Sequence, residues 1–154
     1  MSGETVAGAL LASWAGRQTG WYGDGDGAGT LRLVSVKSDD VTQSNQGAKK
    51  PSLGYVAGGI AFVAFDSEAT NLGFGNDTNQ DRDIFVRIVD LITPASSFTV
   101  PYTSGNAPSY NPNISPAGVL AYESHATQLL ETDTNHRKDI FWLSVGLNIP
   151  TSLP

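Results

Sequence analysis

The sequence predicts an all-β protein made of β-propeller-like blades, four antiparallel strands to a blade, with about two to two and a half blades along the chain. The first reason is an internal repeat. Residues 64–86, AFDSEATNLGFGNDTNQDRDIFV, return as residues 121–142, AYESHATQLLETDTNHRKDIFW. Ala64, Ser67, Ala69, Thr70 and Leu72 recur 57 positions on at Ala121, Ser124, Ala126, Thr127 and Leu129. Asp77-Thr78-Asn79 and Asp83-Ile84-Phe85 recur 56 positions on, so one residue is lost in between. The second reason is a series of short apolar or alternating segments of strand length. The third is 17 glycines and eight prolines in 154 residues, which supply many turns.

Taken in order, residues 7–14 are apolar and read as a helix turn or a buried strand; the β-rich pattern of the rest of the chain favours the strand. Residues 16–29 form a glycine-rich connection. Residues 30–36, TLRLVSV, alternate and read as a strand. Residues 37–50 are a polar loop. Residues 51–56 are a short strand, and Gly58-Gly59 suits the positive φ angles of a tight hairpin. Residues 60–66, IAFVAFD, are apolar on both faces, as in a central strand. A polar connection leads to the strands at 83–89 and 97–102. The unit then restarts with a strand at 110–114, a turn at Ala117-Gly118, and strands at 119–124 and 139–145. Residues 146–154 carry two prolines and read as an edge segment or a linker. The chain thus divides into a partial blade at 7–36, a blade at 51–102, a blade at 111–145 and a tail at 146–154. No linker separates them, so they are expected to form a single unit.

Repeats of roughly 40–60 residues built of short strands are the mark of a β-propeller. Five features carry a family resemblance: Asn111-Pro112-Asn113-Ile114-Ser115, Ala121-Tyr122-Glu123-Ser124, Ala126-Thr127, Asp133-Thr134-Asn135 and Asp139-Ile140-Phe141. In that order they resemble the TolB-type, WD-like β-propeller repeat. The resemblance covers about residues 34–145 and holds twice. It departs from the family at Ala117-Gly118 and Gly58-Gly59, where Asp-Gly is usual, and residues 51–64 are four longer than 112–121. It implies a propeller and an extracellular or periplasmic setting. It implies no chemistry, because one fold hosts many functions.

Composition narrows the partners. The net charge of -6 argues against nucleic acid, whose phosphates need a basic surface. No apolar run reaches the roughly 18 residues of a membrane span. Glu4, and no basic residue, precedes the apolar residues 6–15, which makes them a poor signal peptide. Cysteine is absent, so neither disulfides nor thiolate metal sites form.

The strongest candidate for chemistry is Asp77-x-Asn79-x-Asp81-x-Asp83, whose alternating oxygen side chains are of the kind that hold calcium. Its second copy is Asp133-x-Asn135-x-Arg137-x-Asp139, with an arginine in the third place. Asp and Asn also cap turns with their own side chains, and both readings are open at this point. Trp21, Tyr22, Asp24 and Asp26 make a second candidate, a surface for a protein or a glycan, with Tyr102 and Tyr110 as further aromatics. Trp14 and Trp142 lie in strand patterns and read as core. His125 and His136 form no catalytic pair, and Ser67 and Ser124 recur with no histidine at matching positions, so a nucleophile–base pair is not repeated. No catalytic residue is therefore assigned. The expected function is a non-enzymatic propeller-type scaffold or protein-binding module, self-associating or bound to another protein. The alternatives are a lectin-like glycan binder or the non-catalytic part of a propeller hydrolase. A chain of two to two and a half blades is expected to expose blade faces, where Phe62, Phe65 and Ile84 need a neighbour. N-terminal strands of one copy completing the C-terminal blade of the next would supply one, a head-to-tail contact that makes a ring of three or four copies if it closes and a filament if it does not.

Overall fold

The computed structural model describes residues 21–22, 29–56, 58–73, 79–131 and 133–145. The chain divides into two compact units, residues 1–34 and 35–154. In the first, β1 (Trp21–Tyr22) pairs antiparallel with β2 (Gly29–Thr30), with Trp21 opposite Thr30. The strand expected over 30–36 is not continuous. Residues 31–34 carry no ladder, and Val36 makes only a single bridge to Gln43. Alternation alone does not make a strand when no neighbouring strand takes up its N–H and C=O groups. Leu31 and Leu33 are exposed. The strand or helix turn expected at 7–14, with Trp14, and the tail at 146–154 lie outside the described residues.

The second unit holds two antiparallel sheets. The first is β3 (Ala48–Val56), β4 (Ile60–Ser67), β5 (Asp83–Asp90) and β6 (Phe98–Pro101), hydrogen-bonded in chain order. The second is β7 (Ser109–Ile114), β8 (Val119–Ser124) and β9 (Asp139–Ser144), also in chain order. There is no α-helix among the described residues, only a short 3-10 turn at Pro94–Ser96. The protein is therefore all-β. Gly58, Gly59 and Gly118 turn the hairpins at φ of +90°, +83° and +72°, a region that costs glycine little. Pro51 and Pro112 sit in β3 and β7, each at the edge of its sheet, where a missing N–H breaks no ladder.

The repeat is reproduced down to single bonds. Phe65 and Phe85 stack at 5.8 Å and 22°, and Tyr122 and Phe141 at 5.8 Å and 23°. The Ser67 hydroxyl accepts the Ala69 N–H at 3.1 Å, and the Ser124 hydroxyl accepts that of Ala126 at 3.0 Å. The Asn45 side chain accepts the Thr70 N–H at 3.1 Å, and Asn106 accepts that of Thr127 at 3.1 Å. β3 and β7 each bulge, with Lys50 and Asn111 both at φ +52°. From Asn45 to Pro51 the offset to the second copy is 61 positions, which absorbs the four extra residues of the first hairpin.

The core lies between the sheets. Residues opposite one another in an antiparallel pair share a face. Phe62, Ala64, Ile84, Val86 and Ile88 therefore form one face of the first sheet. They pack with Ile114, Leu120, Tyr122, Phe141 and Val145. Each large side chain buried there contributes roughly 1.5–3 kcal/mol. The other face of the first sheet carries Phe65 and Phe85, which cluster with Ala69 and Leu72. It also carries the buried Arg87, whose guanidinium donates to the Lys37 carbonyl at 3.0 Å, to the Thr99 hydroxyl at 3.1 Å and to Asp40. Main-chain groups join the two sheets. The Ile114 N–H donates to the Ser52 hydroxyl at 3.0 Å, and the Asn111 N–H donates to Asp66 at 3.2 Å. A Cβ at Gly54 would stand 2.6 Å from the Ser115 carbonyl oxygen, so only glycine permits this approach.

Trp142 corrects the sequence reading. Expected in the core, it is 74% exposed. On β9 it alternates with Phe141, whose ring points to the first sheet. No other sheet lies against the side of the second sheet that carries Trp142 among the described residues.

Candidate functional site: the open face and edge of the second sheet

Ile140 and Trp142 occupy the positions that Ile84 and Val86 hold in the first sheet. Ile84 and Val86 are 0% exposed, whereas Ile140 and Trp142 are 71% and 74% exposed. The second sheet covers the first pair, and no third sheet covers the second among the described residues. Beside Ile140 and Trp142 a concavity of about 440 Å³ opens, lined also by Leu130, Asp133, Asn135 and Asp139.

The first sheet shows what belongs at such a place. There β6 pairs with the outer edge of β5, Val86 opposite Val100 and Arg87 opposite Thr99. The chain after β6 then bonds to the start of β5. The Tyr102 N–H donates to the Ile84 carbonyl at 2.8 Å, and the Ile84 N–H donates to the Thr103 hydroxyl at 2.8 Å. That hydroxyl donates to Asp83 at 2.9 Å, and the Asn79 amide donates to the Gly105 carbonyl. In the second sheet, β9 has no fourth strand among the described residues. The two carboxylate oxygens of Asp133 are shielded from solvent and accept no hydrogen bond, a costly state for a polar group.

The residues singled out for calcium are only partly brought together. Asp77 lies outside the described residues. Asn79 accepts the Asp81 N–H at 2.8 Å, and Asn135 accepts the Arg137 N–H at 2.6 Å. Gln80 and His136, the residues between, both have positive φ, at +57° and +55°. These are matched Asx turns, in which the side-chain oxygen holds a loop amide. Asn135 also donates to Asp139 at 2.8 Å. No group of three or more His, Asp or Glu side chains is placed to hold a metal among the described residues. Of the aromatic surface, Trp21 and Tyr22 are described only as backbone in β1, and Asp24 and Asp26 lie outside the described residues. His125 is exposed and meets the Tyr110 ring edge-on at 6.2 Å, and His136 is exposed in its turn.

Sequence reasoning missed a polar pair that the repeat also doubles. Asp66 lies 3.6 Å from Arg82, and Glu123 lies 2.6 Å from Lys138. Acid matches acid 57 positions on, and cation matches cation 56 positions on, a signal that was open to view. Burial raises the Asp66 pKa, against the Asn111 N–H and Arg82, which lower it. The hydrogen bond from Lys138 lowers that of Glu123. Arg82 also lies 5.6 Å over the Tyr110 ring.

No protein-family model, curated protein or solved structure matches this chain.

Proposed function

We propose that the chain is a non-enzymatic scaffold or protein-binding module of β-propeller type, akin to TolB-type, WD-like repeats. In this reading β3–β6 and β7–β9 are neighbouring blades of a larger homo-oligomeric or multi-blade assembly. One observation carries it: the face that is buried at Ile84 and Val86 is open at Ile140 and Trp142. An apolar face of this kind marks an interaction surface. A propeller closes with typically four to eight blades, so two need partners. Contact of one copy's open face with the next copy is head-to-tail, and it makes a ring where the rotation closes. Ser67 and Ser124 use their hydroxyls to cap turns, which suits a structural role.

Light scattering of the purified chain at rising concentration tests the reading. Assemblies of several copies are expected, and Trp142→Lys is expected to dissociate them. A monomer with a single sharp melt at every concentration overturns it.

A further inference from the structure

We propose that the edge of β9, which pairs with no fourth strand among the described residues, and the groove beside it bind an extended peptide strand from a partner protein. The strand adds antiparallel to β9 and places a Ser or Thr hydroxyl on Asp139. This deepens the binding-module reading above and rests on it.

The first sheet supplies the template for both the site and the ligand. Ile84 turns its N–H and its carbonyl toward β6, since one bonds Thr103 and the other Tyr102. Ile140 is its equivalent on β9, and main-chain groups alternate sides along a strand, so Ile140 and Trp142 present theirs to the open edge. Asp139 matches Asp83, the acceptor of the Thr103 hydroxyl. Asn135 matches Asn79, the donor to the Gly105 carbonyl. A strand docked in the same way meets every one of these groups.

The ligand chemistry follows from residues 98–105, FTVPYTSG. Phe98, Val100 and Tyr102 alternate and pack against the core between the sheets. Their counterparts in a partner strand would lie beside Ile140 and Trp142. Pro101 occupies the residue opposite Phe85. Thr103 follows two residues later and is buried. The partner therefore carries apolar residues at alternate positions, then a hydroxyl residue, then a small residue that permits close approach. Main-chain bonds supply affinity in this mode, and the alternate side chains supply specificity. An incoming donor also gives the Asp133 carboxylate the partner it lacks.

The test uses the intact chain and a synthetic peptide of residues 98–106, FTVPYTSGN. Hydrogen exchange of residues 139–144 is followed as peptide is added. Saturable protection is expected, weakened at least tenfold by Asp139→Ala in the protein or by Thr103→Val in the peptide. Melting curves check that the protein variant is folded. No protection at about millimolar peptide, or equal protection by a scrambled peptide, overturns the proposal. Protection of 139–144 in an oligomer without peptide also overturns it, because a second copy then fills the edge. Self-association that Trp142→Lys abolishes, with no effect of peptide, removes the strand site and leaves the blade assembly. Peptide binding to a chain that stays monomeric does the reverse.

Discussion

Ile84 and Ile140 hold the same position in the two copies of the repeat, yet Ile84 is fully buried and Ile140 stands in solvent. The pair separates what a residue contributes to folding from what it contributes to association. Ile84→Ala should destabilise the isolated chain by about 2–5 kcal/mol, since it leaves a cavity between two sheets. Ile140→Ala should change it by less than about 0.5 kcal/mol, as surface substitutions do. Urea unfolding of dilute protein measures both. At high concentration the order should change, with Ile140→Ala weakening self-association in light scattering.

Gly54 tests how closely the sheets approach. Its added Cβ would meet the Ser115 carbonyl at 2.6 Å and the Ile114 methyl at 3.5 Å. Gly54→Ala should cost about 1–3 kcal/mol through overpacking. Gly47 has nothing within 4 Å of the same point, so Gly47→Ala should be near neutral. Thermal melts of the two variants compare them directly.

Asp66 joins the sheets through Asn111 and faces Arg82. Asp66→Ala leaves a main-chain N–H without its acceptor and should cost roughly 1–3 kcal/mol. Its counterpart Glu123 bonds the exposed Lys138 and the Asn111 side chain and holds no main-chain N–H of the other sheet among the described residues, so Glu123→Ala should leave the melting temperature nearly unchanged. A difference in the opposite order would contradict the placement of β7 against the first sheet.

Acid stability should carry a mark of Asp39. Bonds from Thr42 first, and then Val41, lower its pKa from 3.8 to about 2. A carboxylate with a lowered folded pKa stabilises above its unfolded value, and that stability is lost as pH falls through the folded one. Melts from pH 5 to pH 2 should therefore fall less steeply in Asp39→Ala than in the parent. Asp66 acts in the opposite sense. Burial raises its pKa, so its contribution declines as pH rises from the usual carboxylate range through the raised value.

The all-β class was legible in the residues alone, because segments such as 60–66 and 119–124 are too short and too apolar for amphipathic helices and are bounded by turn residues. So was the equivalence of residues, since matches at offsets of 57 and 56 fix the register of β4 on β8 and of β5 on β9. The glycines at 58, 59 and 118 announced their hairpins for a local reason, the cost of positive φ for other residues. The bulges at Lys50 and Asn111 carried no such signal, because neither residue is a glycine. The roles of Asn79 and Asn135 were undecided in the sequence. A carboxamide oxygen serves a cation or a loop N–H equally well, and only the folded loop brought the Asp81 and Arg137 amides within reach. Trp142 shows the same limit. Periodicity tells which residues share a face of a strand, and β9 is apolar on both. Which face is covered depends on whether another sheet lies against it, and that is a property of packing between distant segments.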